Sequence, residues 1–171
     1  MNARQLFGTL GISVVLACGI LLPTSALANG APERQGLEGT WMTGIANATN
    51  AVPFLGLTTY TQDGQCLDES NSTASRSLGH GEWFKIGPHE YFRSTVNFRF
   101  APPPAEPRTF IGLSRISAKL VLNESGDEYT GQAVIERFDI NGNLTETIFG
   151  TEAGRRCDSS TSMKRCLGIG N

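Results

Sequence analysis

The chain has 171 residues, 39% of them hydrophobic and 18% charged, with 20 Gly and 8 Pro, the make-up of one compact domain of about 100 to 200 residues. Such numbers exclude a coiled coil, a collagen, a disordered tail and an assembly of several domains. Fourteen Lys plus Arg against sixteen Asp plus Glu leave a net charge of −2; with no basic excess to neutralise a phosphate backbone or an anionic membrane, nucleic acid is not expected as a partner.

Residues 1–28 read as a secretory signal peptide. Arg4 supplies a positive start, residues 10–22 are an apolar run, and Ala26-Leu27-Ala28 is a small-x-small cleavage site before Asn29. A retained anchor needs about 20 uninterrupted apolar residues, and Pro23, Thr24 and Ser25 end this run early, so no membrane span is expected after leader removal. A lipoprotein signal ending at Cys18 would leave the apolar residues 19–22 before any tether. The mature protein is expected to be secreted or periplasmic, in an oxidising compartment. Residues 29–36 then form a linker, 37–156 the folded domain and 157–171 a C-terminal tail.

From residue 39 onward the dominant period is two. Runs at 39–46, 54–62, 65–69 and 81–86 are separated by turn chemistry such as Asp63-Gly64 and Gly87-Pro88. The clearest run is 91–100, where Phe92, Ser94, Val96, Phe98 and Phe100 share one face and Tyr91, Arg93, Thr95, Asn97 and Arg99 the other. Its phenylalanine face is expected to point inward. Residues 101–107 hold four Pro, which cannot donate to a ladder and must connect. Across that connection Phe110, Gly112, Ser114, Ile116, Ala118, Leu120 and Leu122 alternate with a face containing Arg115, Ser117 and Lys119, completing a long hairpin. Runs at 129–139 and 144–156 follow, after the turns Ser125-Gly126-Asp127 and Asn141-Gly142.

No stretch after residue 28 holds a helical period for three turns. About eight strands with short up-and-down connections imply an all-β fold, a single antiparallel up-and-down barrel whose closure leaves no sticky edges. A two-sheet sandwich is the alternative, but its Greek-key crossovers need longer links than most of these.

Three cysteines remain after the leader, Cys66, Cys157 and Cys166, and an odd count allows one disulfide and one thiol. Cys157 and Cys166 are the candidates that would staple the tail; Cys66 with Cys157 would tie a hairpin to the last strand, and spacing leaves both open. No Cys/His spacing suggests zinc. Sequons at Asn47, Asn71, Asn123 and Asn143 fall in loops or strand ends and are too few above chance to argue for glycosylation.

An eight-stranded barrel is wide enough either to be filled by side chains or to hold one small ligand. On the long hairpin Phe92, Phe98, Phe100 and Phe110 interleave with Ser94, Gly112 and Ser114, so these seven residues are the candidate ligand-binding set, the rings supplying apolar area and the serines orienting hydrogen bonds. Gly112→Leu is then expected to abolish binding and leave the fold intact. The competing picture is a dry core in which each Phe fills the space above a Gly or Ser, the protein then acting through its surface. His80 and His89, with Glu82 and Glu90, offer the residue types of a two-His, two-carboxylate metal site or an acid–base pair, against the plainer reading of exposed turn residues. On that plainer reading no metal is expected; no nucleotide cofactor is expected, since no phosphate-binding Gly-rich loop occurs, and no Ser hydrolase, since no Gly-x-Ser-x-Gly elbow does. Arg93, Arg99 and Arg115 read as an outer stripe paired with glutamates.

Gly39-Thr40-Trp41 is similar to the G-x-W of the lipocalins, and Arg155 or Arg156 stands where that family places an Arg against the Trp. The resemblance implies that Trp41 and one of these arginines close the barrel floor by a cation–π contact. The chain departs from true lipocalins in lacking a Thr-Asp-Tyr triplet and in having only fifteen residues after Arg156. Over residues 37–156, Gly79-His80-Gly81-Glu82-Trp83, Tyr129-Thr130-Gly131 and the segment 138–143 resemble secreted bacterial lipocalin-like (calycin-type) barrels of uncharacterised function, a resemblance that implies a fold and no activity. In shape the chain is also similar to the allene-oxide-cyclase and dirigent barrels. That similarity implies a cofactor-free isomerase or cyclase using the cavity as a mould, with Tyr91, Tyr129, Glu136 and Arg137 as candidate proton-handling groups.

Overall fold

The computed structural model describes residues 36–47, 50–102, 109–157 and 161–168; the expected leader and most of the expected linker lie outside them. Eight strands follow one another: β1 (Gly39–Asn47), β2 (Asn50–Tyr60), β3 (Gln65–Ser70), β4 (Gly79–Lys85), β5 (Glu90–Phe100), β6 (Phe110–Leu122), β7 (Glu128–Phe138) and β8 (Leu144–Arg156). Each pairs antiparallel with its neighbour in sequence, and β8 returns to β1 through Trp41↔Arg156 to Asn47↔Gly150. The result is a closed up-and-down barrel, as the period-two runs imply, and not a sandwich. Every run read from sequence is a strand; the largest boundary difference is β2, which begins at Asn50 rather than 54. The turn at Asp63-Gly64 works because Gly64 takes φ +87°, a left-handed conformation that a side chain disfavours.

One end of the barrel is filled. Leu37 plugs it, fully buried, and accepts a hydrogen bond at its carbonyl from Trp41 Nε1 (2.8 Å). Around that plug stand both Trp and all three Tyr of the chain: Trp41 meets Tyr129 with ring centroids 5.0 Å apart, Tyr60 meets Trp83 at 5.9 Å, and Trp83 meets Tyr91 at 5.8 Å. All five are buried. Aromatics with a polar handle suit this place because their hydroxyls and indole N–H find partners inside, as with Trp83 Nε1 donating to the Thr61 carbonyl (2.9 Å). Small residues make the room: a Cβ on Gly154 would lie 2.3 Å from the Tyr129 ring.

The faces of β5 are the reverse of those expected. Tyr91, Arg93, Thr95 and Asn97 point inward and are 0–3% exposed, whereas Phe92, Ser94, Val96 and Phe98 line the outer surface. Phe92 packs on Phe84 of β4 (5.2 Å) and Phe98 on Phe110 (5.8 Å) outside the barrel. The alternation was right and its polarity was not, because Arg93 finds a buried carboxylate that outweighs the hydrophobicity of the Phe face. On β6 the inward set is the expected one from Gly112 to Leu122, but Phe110 is turned out. Arg99 pairs with Gly112 and Phe100 with Phe110, so Ile111 is an extra residue that flips the end of the strand. Gly112 sits in that bulge at φ +132°, and a Cβ there would come 2.0 Å from the Phe138 carbonyl oxygen. Gly112→Leu therefore disturbs the backbone and cannot serve as the fold-preserving cavity test.

Cys157 and Cys166 form the disulfide, which ties α1 (Met163–Cys166) back to the end of β8, and Cys66 stays a buried thiol. Among the described residues no helix is long and apolar enough to cross a membrane.

Candidate functional site

At the end of the barrel opposite the Trp41 plug, the interior opens. Segment 71–78 leaves β3 and lies alongside the top of β5: Ser77 N donates to the Phe98 carbonyl (3.0 Å), Phe100 N to the Ser75 carbonyl (2.8 Å), and Arg76 bridges to Arg99. An ion pair between Arg76 and Asp68 (2.8 Å), the carboxylate 6% exposed, pins this segment to β3. Behind it lies a cavity of about 280 Å³, at the small end of ligand sites.

The wall of this cavity is apolar, built by Ile45, Phe54, Phe100, Ile111, Ile116 and Ile135. Asn97 and Ser114, directly opposed on β5 and β6, line it, as do Arg76, Arg99 and Arg137, the last opposite Ser114 on β7. Asn97 is 3% exposed, and neither its Oδ1 nor its Nδ2 has a hydrogen-bond partner. Leaving such groups unbonded costs about 1–3 kcal/mol each, so an amide persisting here calls for a reason. Arg137 is bonded to Glu146 on β8 (2.6 Å). Arg99 is half-buried, and burial, reinforced by the nearby Arg137 charge, lowers its pKa while Glu146 draws it back.

Below the cavity lies a closed polar layer. Arg93 Nε and Nη2 grip Glu152 Oε1 and Oε2 at 3.0 and 2.6 Å, with the side chains 1% and 0% exposed. Tyr129 donates to Glu152 Oε1 (2.9 Å), leaving Tyr60 to donate to the Tyr129 oxygen (3.4 Å). Burial tends to lower the Arg93 pKa, yet the Glu152 carboxylate and the surrounding phenols overcome it and hold the guanidinium well above its ordinary value. Burial likewise pushes both phenols well above the usual tyrosine value, Tyr129 further through Glu152, and raises the Cys66 thiol to about 12. None of Arg93, Glu152, Tyr60 or Cys66 lines the cavity.

Of the seven candidate ligand-binding residues, Phe100 and Ser114 line the cavity; Gly112 is buried in the bulge, and Phe92, Ser94, Phe98 and Phe110 lie on the outer face. The closure pair is Trp41 with Arg156, whose guanidinium carbon stands 4.3 Å from the indole centroid while its nitrogens donate to the carbonyls of Gly126, Gly36 and Glu38. Arg155 instead bonds Glu128 on the outside (2.9 Å). Of the supposed outer stripe only Arg115 is outside, paired with Glu136 at 2.7 Å; Arg93 and Arg99 belong to the interior and the mouth. His80 sits on the outer face of β4 and His89 in the β4–β5 turn at the filled end, so the two-His, two-carboxylate arrangement does not come together, and the described residues hold no cluster of three or more candidate metal ligands.

Of the residues missed, Asn97, Arg93 and Glu152, only Glu152 had a signal in the sequence. Inward positions of β2, β4, β7 and β8 carry Gly56, Gly79, Gly81, Gly131, Gly150 and Gly154, so glycines at alternate positions mark the inner face of a tightly coiled barrel, and on β8 they place Glu152 inside. β5 has no glycine to mark its faces.

A second depression, of about 380 Å³, lies on the outer face of β1 and β8 under residues 166–168; no polar side-chain atom among its described lining is buried without a partner. Comparison with known proteins found no matching family model, no matching curated protein and no matching solved structure.

Proposed function

We propose that this chain is an exported, lipocalin-like barrel that reversibly binds one small, mainly apolar molecule in the cavity at its open end. The observation that carries this reading is Asn97, buried in the cavity wall with both carboxamide atoms unbonded, a group whose desolvation a guest of matching polarity would offset. The isoleucine wall supplies the apolar contact, at about 25 cal/mol per Å² buried. The Cys157–Cys166 disulfide supports the export part, because such bonds persist in oxidising compartments.

Binding is favoured over an isomerase or cyclase reading by the cavity's titratable groups. Among its described lining residues these are arginines, which keep their protons and make poor general acids or bases. Tyr91 and Tyr129 are sealed into the filled part of the barrel, and Glu136 is outside, bonded to Arg115.

Native mass spectrometry of the protein recovered without detergent or organic solvent tests the reading. The expected result is an excess mass lost on denaturation, or one acquired from a set of small amphipathic probes, with affinity about tenfold weaker in Asn97→Leu, the loss of one hydrogen bond worth about 1.4 kcal/mol. A bare chain mass that persists after incubation with the whole set overturns it.

A further inference from the structure

Among the described residues, the arginines other than Arg99 are matched. Arg76, Arg93, Arg115, Arg137, Arg155 and Arg165 each hold a carboxylate, and Arg156 holds three carbonyls. Arg99 is the exception: half-buried at the cavity mouth, it has no acceptor among the described residues. It stands two positions above Asn97 on the same inward face of β5, with Arg137 near enough to repel it. The described cavity lining contains three guanidinium groups and no carboxylate. A bowl of this kind, apolar below and cationic at the rim, is complementary to an anion with a hydrocarbon body.

We propose that the cavity selects a small amphipathic carboxylate, its acid group held by the Arg99 guanidinium with help from the Asn97 amide, its apolar body lying on Ile45, Ile116 and Ile135. This rests on the binding reading above and adds the charge of the ligand to it. The cavity of about 280 Å³ is about nine times the ~30 Å³ share of one water molecule, room for a small guest of the size of octanoate. An Arg–carboxylate hydrogen bond in a half-buried site is charge-assisted and geometrically specific. Specificity follows from the cost to other ligands: with Arg76 and Arg137 already paired to Asp68 and Glu146, an ammonium group would face the like charge of Arg99, and an alcohol would not neutralise it.

Titration calorimetry at neutral pH with octanoate, 1-octanol and octylamine, matched in body and differing in head group, separates these cases. The expected order is octanoate tightest, 1-octanol about tenfold weaker and octylamine weakest, with the octanoate advantage shrinking as salt is raised. Arg99→Met should abolish the octanoate advantage and leave 1-octanol binding within about twofold, whereas Arg99→Lys, which keeps the charge, should retain most of it. The Lys variant also shows that lost preference in the Met variant is not lost folding. Equal binding of octanoate and 1-octanol that Arg99→Met does not change overturns the carboxylate assignment and leaves small-molecule binding standing. Failure of all three probes to bind overturns both.

Discussion

At the filled end of the barrel, Trp41 is bonded to Leu37, Arg156 to three carbonyls, and Glu152 to Arg93 and Tyr129. Further up the same strand β5, Asn97 is just as buried, yet its carboxamide bonds to nothing, and Arg99 has no ion pair among the described residues. The difference in satisfaction, at similar burial, separates the two roles. A buried ion pair in which each charge is gripped by several groups contributes a unique, rigid interior; an unbonded amide beside a cavity stores a cost that selection for stability alone would remove. The filled end holds the barrel together, and the mouth keeps polar groups available for a guest.

Breaking the filled end should have the largest effect. Glu152→Ala leaves the Arg93 charge buried and unpaired, and is expected to destabilise the fold by about 3–5 kcal/mol in equilibrium denaturation. The double variant Arg93→Leu, Glu152→Leu should recover much of that loss. A cost below about 1 kcal/mol for Glu152→Ala would mean that water reaches the pair and the interior is not dry.

Alkali should act next, and again only through the filled end. In the unfolded chain a thiol ionises near 9 and a phenol near 10, but the folded barrel holds Cys66 neutral up to about 12 and raises Tyr60 and Tyr129 as well. Above pH 9 the unfolded state thus binds fewer protons than the folded one, so stability is fully present below about pH 9 and falls as pH rises toward 12. Denaturation midpoints followed from pH 8 to 11 should decline, and Cys66 should resist thiol reagents at pH 8 until the protein unfolds. A midpoint independent of pH over that range would place these groups in contact with solvent.

The smallest effect is expected at the mouth, with the opposite sign. Asn97→Leu keeps the volume and removes the unbonded amide, so the ligand-free protein should become more stable by up to about 1 kcal/mol while binding weakens. Should the variant be destabilised, Asn97 is bonded through water in the free protein, and the contrast between the two ends narrows.

Much of this architecture was legible in the residues. The period-two runs and the Gly- and Asp-containing turns located all eight strands, since alternation and turn chemistry are local properties of the chain. The contact of Trp41 with an arginine at the end of the last strand, which the resemblance to the lipocalin G-x-W implies, is present, and closure of a meander allows it by making the first and last strands neighbours. For the cavity, Phe100 and Ser114 were named from their alternation, yet Asn97 and Arg99 were assigned to the outer face. The run 91–100 carries large side chains on both faces, and hydrophobicity alone favours turning the phenylalanines in.

Local sequence therefore determined the strands, their order and their turns, because each depends on residues close together in the chain. Which face of β5 points inward was decided only by tertiary structure. That choice depends on Glu152, 59 residues from Arg93, arriving inside the closed barrel where a guanidinium can meet it, and on the extra Ile111, which lets Phe110 turn out while Gly112 stays in. Neither the pairing of two distant charges nor a one-residue bulge leaves a mark in the alternation of a single strand, and together they place Asn97 and Arg99 at the cavity.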